Sequence, residues 1–239
     1  MPEPGTPEIP GAWTTGTLDQ VRRDGRLAYL RLALETPFTH AAGQHCVVRL
    51  RAEDGYTAQR SYSVASAPGD ELLELCVESM PDGEVSGHLH EEARVGDTVE
   101  VRGPIGRWFT WGGRTPSIAV VGGTGVVPVV SMLRHARALG VHDRLRVVVV
   151  TRTLAELPYA DELLAHGAFV ATTRENSVVD GRDRVAATPY PDEVAPLAEG
   201  VERAYVCGSP GFASYGVRLL GEVGVRRDVI RVEQFGPTG

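Results

Sequence analysis

Residues 118–128 read IAVVGGTGVVP, and this stretch decides the fold class of the C-terminal half. Its first four residues are all apolar, which is typical of a strand buried on both faces of a parallel sheet. Gly123, Thr124 and Gly125 follow, and Pro128 suits the first turn of a helix. In this setting backbone amides bind a pyrophosphate at the positive helix end. The pattern lacks the last glycine of the common dinucleotide fingerprint, so a simple tight turn is the alternative.

The same alternation of apolar strand and amphipathic helix continues towards the C-terminus. Strands are predicted at 118–121, 145–150, 169–172, 204–206 and 229–232, and helices at 129–139, 160–165 and 212–223. Apolar strands that alternate with helices predict an α/β domain with a parallel sheet covered on both faces.

The N-terminal half has a different hydrophobic pattern. Short β-like runs at 27–34, 45–51, 61–65, 72–78 and 98–101 are separated by turn residues, with one short helix predicted at 86–93. This layout predicts an antiparallel barrel or sandwich. The hydrophobic pattern changes after Gly112-Gly113, so we expect two domains, at 12–113 and 114–239. A flexible segment is expected before them, at 1–11.

Composition excludes several classes of function. The chain has 239 residues, a formal net charge of −7 and 24 basic residues, all of which are arginine. The absence of lysine excludes P-loop, kinase and pyridoxal Schiff-base chemistry, because each needs that residue. The acidic balance argues against a nucleic-acid partner, which usually requires a basic patch.

Neither a metal site nor a membrane-spanning segment is expected. Cys46, Cys76 and Cys207 lie far apart, and the seven histidines have no companions at ligand spacing, so no metal site is predicted. The odd number of cysteines and an N-terminus without signal-peptide features fit a cytoplasmic protein. The most apolar stretch, 118–133, is too short and too rich in glycine to span a bilayer.

Three further segments carry polar groups suited to ligand binding. Arg60-Ser61-Tyr62-Ser63 alternates along a strand, so a site that used both faces would have to follow a strand edge or a twist; an ordinary surface strand is the alternative. Gly83 to Ser86 opens the short helix, where a plain N-cap is the alternative to a phosphate site. Cys207-Gly208 ends a parallel strand, where a lone cysteine is more often a small buried residue.

Taken in order, six segments resemble the ferredoxin-NADP reductase family of flavoproteins. They are 60–66 (RSYSVAS), 83–86 (GEVS), 103–106 (GPIG), 122–128 (GGTGVVP), 207–208 (CG) and 233–235 (EQF). The resemblance extends from about residue 13 to the C-terminus. It implies an N-terminal flavin-binding β-barrel followed by a C-terminal NAD(P)-binding α/β domain.

The resemblance also implies how the N-terminal domain binds flavin. Arg60 neutralises the flavin phosphates, Tyr62 stacks on the isoalloxazine, and Ser63, beside Ser61, hydrogen-bonds near N5. Gly83, Val85 and Ser86 hold the pyrophosphate at the helix start. FAD is favoured over FMN because members of this type usually carry it.

In the C-terminal domain, the resemblance implies that the nicotinamide dinucleotide binds at the glycine turn. Gly123, Thr124, Gly125 and Pro128 form this turn, and Cys207-Gly208 lies beside the nicotinamide C4 as it meets flavin N5. Cys207 has no adjacent histidine to activate it, so its role is positioning. Glu233 and Phe235 match the C-terminal pair near the flavin, although this chain continues through residues 236–239.

The choice of nucleotide favours NADPH, with NADH possible. No acidic residue follows the strand at 145–150, where Arg152 lies, so the usual ribose contact of NAD is missing from the sequence. Thr173-Arg174 resembles the pair that grips the 2′-phosphate of NADP, and Arg182 or Arg184 could assist. A solvated loop arginine is the alternative for Arg174.

These features lead to one functional hypothesis and two rivals. The chain is expected to be an FAD-dependent NAD(P)H oxidoreductase that passes hydride to flavin N5 and then electrons to a separate acceptor, such as a ferredoxin or an oxygenase component. The first rival is a non-catalytic or regulatory flavin- or nucleotide-binding subunit of a redox complex. The second, a plain nucleotide-binding module, leaves the N-terminal half unexplained.

Overall fold

The computed structural model describes residues 12–179 and 181–235, so the predicted flexible segment 1–11 lies outside the described residues. The chain divides into two compact units. Unit 1 runs to His40 and includes Gln44–Val64 and Gly69–Arg107. Unit 2 contains Ala41–Gly43, Ala65–Pro68 and the chain from Trp108 onward. The domain limits predicted from the sequence stay a prediction.

Unit 1 is an antiparallel barrel with one helix. Its elements are β1 (Trp13–Asp24), β2 (Leu27–Leu34), β3 (His45–Arg51), β4 (Thr57–Ser63), β5 (Leu73–Glu78), α1 (Glu84–Glu91) and β6 (Thr98–Ile105). The strand order is β4-β3-β6-β1-β2-β5, and a bridge between Val64 and Leu75 joins the end of β4 to β5. The predicted antiparallel β-barrel is therefore confirmed.

Strand β1 was missed in the sequence. Only Leu18 and Val21 among its twelve residues are aliphatic, so no apolar run marks it. It forms because it pairs with β2 on one side and with β6 on the other, which places it in the middle of the sheet. Its hydrogen-bonding neighbours, rather than its own pattern, make it a strand.

Helix α1 begins two residues earlier than predicted, and this corrects the expectation for Ser86. Gly83, not Ser86, is the N-cap residue. The Ser86 hydroxyl lies inside the first turn, where it donates to the Gly83 carbonyl at 3.2 Å and accepts from the Met80 amide at 3.3 Å. Ser86 can therefore offer a ligand its backbone amide, whereas its side chain holds the turn together.

Unit 2 contains a parallel sheet covered on both faces. Its elements are β7 (Ser117–Gly122), α2 (Val127–Leu139), β8 (Leu145–Thr151), α3 (Ala160–Ala165), β9 (Phe169–Thr172), β10 (Ser177–Val179), β11 (Arg182–Arg184), α4 (Pro191–Ala198), β12 (Arg203–Gly208), α5 (Pro210–Glu222) and β13 (Ile230–Gln234). One apolar cluster joins α2 and α3 to the sheet, and a second joins α4 and α5 to it. The predicted α/β parallel-sheet class is confirmed.

Strand order decides where this sheet can bind a ligand. The order is β13-β12-β7-β8-β9, so the chain moves outward from β7 through β8 to β9 and then returns to the other side of β7 as β12. Neighbouring strands with connections that leave in opposite directions open a crevice at their carboxyl ends. The crevice of this sheet therefore lies at the ends of β7 and β12.

None of the helices in the described part of the chain is long and apolar enough to cross a membrane. Nor does that part contain a group of three or more His, Cys, Asp or Glu residues that could hold a metal ion.

Leu163 and Leu164 offer a matched test of the unit 2 core. Leu163 is fully buried, whereas its neighbour Leu164 is 46% exposed on the same short helix. We expect Leu163→Ala to lower the free energy of unfolding of this unit by about 2–5 kcal/mol, because it leaves a cavity. Leu164→Ala is expected to change it by about 0.5 kcal/mol or less. Equal effects in chemical denaturation would contradict this placement of the core.

The three cysteines are free and buried, and this predicts an alkaline limit to stability. Burial raises the pKa of Cys46 and of Cys76 from 9.0 to about 12, and it raises that of Cys207 well above 9.0. Because the folded state favours the thiol, this contribution to stability is complete below pH 9 and is lost as the pH rises towards 12. We expect the unfolding midpoint to be lower at pH 10 than at pH 8.

A thiol reagent provides the direct check. The folded protein at pH 8 should react negligibly with a chromogenic disulfide reagent, since a buried thiol is neither ionised nor accessible. The same sample in guanidinium should release three equivalents, one for each free cysteine. Rapid reaction of a thiol in the folded protein would show that the burial is wrong.

Candidate functional site

The candidate flavin residues of unit 1 lie along an open strand edge. β4 is the first strand in the sheet order, so apart from the single Val64 bridge only β3 pairs with it. Tyr62 lies opposite Cys46, whose side chain belongs to the barrel core, while Ser63 lies opposite His45 on the other side of the sheet. A ligand can contact residues of both faces together only at this edge. That is the arrangement that alternation along Arg60–Ser63 requires.

Two buried polar atoms at this edge fit a bound cofactor. Among the described residues, the Tyr62 hydroxyl and the Ser63 hydroxyl have no hydrogen-bond partner although both are buried. Burial raises the pKa of Tyr62 well above 10, so the phenol keeps its proton. A buried polar group without a partner costs about 1–3 kcal/mol, which a ligand with matching acceptors would offset. These atoms fit the polar edge of a flavin.

Arg60 supplies a positive charge two residues before Tyr62. Its side chain is exposed, and one of its terminal nitrogens donates to the carbonyl of Gln59 at 2.7 Å. No carboxylate in the described part of the chain forms an ion pair with it. Because a guanidinium has five N–H donors, most of them stay available to a phosphate.

The N-terminus of α1 presents backbone amides next to a tightly packed glycine. A Cβ atom at Gly83 would lie 2.3 Å from the Ser86 hydroxyl and 3.0 Å from the Met80 carbonyl, so a larger residue would displace the turn. The side chain of Val85 is fully buried, which anchors this end of the helix. The first amides of a helix have no partner within it, so they can bind an anion.

Helix α1 is also tied to the connection between β3 and β4. The Tyr56 hydroxyl donates to the Glu84 carboxylate at 3.0 Å. The same hydrogen bond raises the pKa of Tyr56, because the ionised phenol could not donate it. This contact joins the start of β4 to the start of α1, the two segments that carry the candidate phosphate ligands.

In unit 2 the glycine turn packs directly against the end of β12. Gly123–Val126 forms a short 3-10 turn, and α2 then begins at Val127 with Pro128 in its first turn. A Cβ atom at Gly125 would lie 2.4 Å from the carbonyl oxygen of Cys207 and 2.9 Å from the amide of Gly208. Gly123 has a φ of +55°, which side chains disfavour. The turn can thus bring its backbone to the crevice only because glycines occupy both positions.

The carboxyl ends of β12 and β13 bring together four candidate residues, Cys207, Gly208, Glu233 and Phe235. Cys207 lies opposite Glu233 in the parallel register, and the Phe235 amide donates to the Gly208 carbonyl at 3.1 Å. Burial raises the pKa of Cys207, and the nearby Glu233 carboxylate raises it further. The thiol is therefore neutral and not a nucleophile, which agrees with a positioning role.

The residues predicted to select the nucleotide lie at the ends of β8 and β9. The Thr173 amide donates to the Thr151 carbonyl at 3.0 Å, and the Arg174 amide to that of Arg152 at 2.9 Å. Arg152 forms an ion pair with Glu156 four residues later. Arg174 is exposed, and its guanidinium has no ion pair with any described residue. Arg174 is therefore available to a phosphate, and so is Arg182, which is exposed on β11 and has no ion pair with a described residue.

Two charged residues in this region, Glu175 and Arg184, have contacts that the sequence did not predict. Glu175 accepts a hydrogen bond from the Leu154 amide at 2.6 Å, so a carboxylate does lie beside the end of β8, supplied by the next strand's loop. Arg184 is 7% exposed and pairs with Glu193 at 2.8 Å, so it cannot assist with a 2′-phosphate. Neither contact is visible from spacing alone.

Comparison with known proteins gives these sites a family context. Residues 18–110 match the model of the oxidoreductase FAD-binding domain. The ferredoxin–NAD(P)+ reductase component of the naphthalene 1,2-dioxygenase/salicylate 5-hydroxylase systems of a Ralstonia species is 29% identical over 95% of this chain and 69% of its own length. The corresponding component of the naphthalene 1,2-dioxygenase system of Pseudomonas putida is 27% identical over 88% of this chain.

The fold is also that of a solved reductase. The structure of a ferredoxin NADP+ reductase from Neisseria gonorrhoeae with bound FAD and NADP has a TM-score of 0.74 and 20% identity, covering 93% of this chain and 98% of its own. The chain spans 65% of the length of the Pseudomonas putida relative. The chain is therefore similar in sequence to reductase components of dioxygenase systems and shares its fold with a ferredoxin NADP+ reductase, and residues 18–110 match an FAD-binding domain.

Proposed function

We propose that this chain is an FAD-dependent NAD(P)H oxidoreductase that delivers electrons to a separate acceptor, such as a ferredoxin or an oxygenase component. The observation that carries the proposal is the pair of buried, unpartnered hydroxyls on the open edge of β4, in a domain matched to FAD-binding oxidoreductases. When bound, the nicotinamide supplies a hydride and the flavin accepts it at N5 and releases electrons. The protein's part is to bind and orient the two groups.

Each polar residue of the barrel site has one task in this proposal. Arg60 neutralises phosphate charge with its available N–H groups, and the amides of Val85 and Ser86 bind the pyrophosphate at the start of α1. The ring of Tyr62 stacks on the isoalloxazine. The Ser63 hydroxyl donates a hydrogen bond near the atom that receives hydride, and Ser61 lies on the same side of the strand.

The crevice of unit 2 is assigned to the nicotinamide dinucleotide. Gly123, Thr124 and Gly125 bring backbone amides to the pyrophosphate at the start of α2. The neutral Cys207 thiol is fully buried in the core of unit 2, so its assigned role is to position the backbone that borders the nicotinamide, with no covalent step. Glu233 and Phe235 border the same strand ends.

We assign NADPH as the preferred donor, with NADH accepted less well. The support is the exposed, unpaired guanidinium of Arg174 next to Thr173 at the end of β9. Glu175 opposes this assignment in part, because a carboxylate is the usual partner of a free ribose hydroxyl. Its hydrogen bond to the Leu154 amide occupies one of its two oxygens.

The proposal places the protein in the cytoplasm. Three reduced cysteines, all buried and none within a disulfide, support a reducing compartment.

An anaerobic spectrum tests the proposal as a whole. We expect the purified protein to show a flavin absorption band that bleaches on addition of NADPH, and more slowly with NADH. A flavin band that neither nucleotide bleaches would contradict the donor assignment. A colourless protein that cannot be reconstituted with FAD would contradict the proposal that the chain is an enzyme and would favour a non-catalytic subunit.

Arg174→Ala tests the choice of nucleotide. Loss of a hydrogen bond to a charged group costs about 1.5–3 kcal/mol, so we expect the apparent KM for NADPH to rise by about tenfold or more and that for NADH to change little. Arg218→Ala is the matched control, because that arginine is 67% exposed on α5, outside the crevice. An equal rise of the apparent KM for both nucleotides in steady-state assays would contradict the assignment of NADPH.

A further inference from the structure

Helix α2 carries two polar side chains beyond the turn that is assigned to the nucleotide. The helix begins at Val127, and Ser131 and Arg134 lie about one and two turns further along it. Residues three apart in a helix share one face, so these two side chains lie on the same side of α2. Ser131 is fully buried, and Arg134 keeps 18% of its side-chain surface exposed. Neither residue has a task in the proposed function.

Both side chains hold the segment that follows β4. The segment Ala65–Pro68 begins two residues after the end of β4, and it belongs to unit 2 together with α2. The Ser131 hydroxyl donates to the Ser66 carbonyl at 2.6 Å, and the Arg134 guanidinium donates to the Ala65 carbonyl at 3.1 Å. Because each peptide unit is planar, fixing two successive carbonyl oxygens fixes the path of the chain between them.

Arg134 is itself held in place by the start of α3. Its Nε and one terminal nitrogen donate to the two carboxylate oxygens of Glu162, at 3.0 and 2.6 Å. Its guanidinium carbon lies 5.2 Å from the centre of the Tyr159 ring. The hydrogen bonds from Arg134 lower the pKa of Glu162, so this carboxylate stays ionised. Two parallel bonds to a carboxylate fix the plane of a guanidinium, and hence the position of the nitrogen that binds the segment.

The end of β4 depends on such an anchor. β3 pairs with all seven residues of β4, whereas β5 pairs only through the bridge between Leu75 and Val64. The Val64 amide donates to the Gln44 carbonyl at 3.0 Å, and β3 itself begins one residue later, so the pairing stops here. The residue just before Val64 is Ser63, which is assigned to the flavin. What holds the next residues therefore decides how firmly Ser63 is held.

The start of β3 is anchored on the same helix. The segment Ala41–Gly43 precedes β3 and also belongs to unit 2. A Cβ atom at Gly43 would lie 2.5 Å from the methyl carbon of Met132, so this backbone passes directly over α2. Gly43 has a φ of +97°, which side chains disfavour. The adjacent ends of β3 and β4 thus both continue into segments that pack on α2, at Met132 and at its neighbour Ser131.

We propose that Ser131 and Arg134 are positioning residues for the transfer of hydride to the flavin. They act through the carbonyls of Ala65 and Ser66, which keep Ser63 in the place where its hydroxyl donates near the atom that receives hydride. The inference rests on the proposed function, which gives that task to Ser63. Neither residue is among the groups assigned to phosphate. A misplaced group at the reacting centre slows the reaction, so loosening the segment lowers the rate of the reaction and leaves binding unchanged.

Three substitutions on α2 form a matched set. Ser131→Ala removes the hydroxyl, and Arg134→Gln removes the guanidinium. The control is Arg137→Gln, which removes an exposed arginine from the last turn of the same helix. Arg134 is partly exposed, so its variant keeps the test valid if Ser131→Ala, in the core, does not fold. The unfolding midpoint of each full-length variant is measured first.

Hydrogen exchange followed by mass spectrometry tests the anchoring directly. We expect the amides of residues 63–67 to exchange about fivefold faster or more in Ser131→Ala and in Arg134→Gln, because local opening is easier when a carbonyl has lost its donor. The effect should be present before and after loading with FAD. Arg137→Gln should leave these amides unchanged. Unchanged exchange in both test variants would overturn the proposal.

Anaerobic bleaching of the flavin by NADPH then tests the positioning role. We expect the limiting rate to fall by about tenfold in both test variants, while the Kd for FAD and the NADPH concentration at half the limiting rate change by about twofold or less. A merely structural role would lower the unfolding midpoint and leave the limiting rate unchanged. That result would overturn the proposal, and so would an equal fall in Arg137→Gln.

The unsubstituted chain separates this proposal from the proposed function. If NADPH does not bleach the flavin bound to the unsubstituted chain, the proposed function itself is refuted. If the unsubstituted chain and both test variants bleach at the same limiting rate, only the positioning role of Ser131 and Arg134 is refuted.

Discussion

The close approach of two backbones at Gly125 is the constraint on which unit 2 depends. The loop after β7 passes so near the end of β12 that a single added carbon would lie 2.4 Å from the Cys207 carbonyl. This contact brings the start of α2 to the point where the strand order reverses. A helix start and a reversal of strand order each favour ligand binding, and here they coincide. The crevice that we assign to the nucleotide is a consequence of that packing.

In unit 1 the comparable constraint is the position of β4 at an edge of the sheet. The polar residues of β4 project to both sides of the sheet, and in a central strand they could not serve one ligand. β4 instead lies at the end of the strand order, with β3 along one side and a single bridge at its end. In the proposed function one flat molecule binds along this edge, where it would meet the hydroxyls of Tyr62 and Ser63. The barrel would then use the strand edge, which other proteins must protect, as its binding site.

Arginine is the only strongly basic residue type in this chain, which has no lysine. The surroundings of each arginine determine its role. Arg184 is buried against Glu193 and stabilises the connection before α4. Arg60 and Arg174 have no carboxylate partner in the described part of the chain and are available to phosphates. On the outer side of the barrel, the planar guanidinium groups of Arg49 and Arg102 stack on Trp13, a geometry that an ammonium group could not reproduce as well. The same type of side chain is thus either held by a carboxylate or left available to a ligand, according to what lies beside it.

The sequence by itself determined the two fold classes and most elements, because hydrophobic periodicity reports burial directly. Strands β2, β3 and β9 and helix α3 have the predicted bounds. The order of motifs, beginning with Arg60–Ser63 and ending with Phe235, was enough to indicate the resemblance to ferredoxin-NADP reductases. Only the tertiary structure decided which strands are neighbours, and hence that β4 is an edge, that β1 is a strand and that Glu175 lies beside β8. Periodicity is a local property of the chain, whereas pairing, charge neighbours and burial of a particular arginine depend on residues far away in sequence.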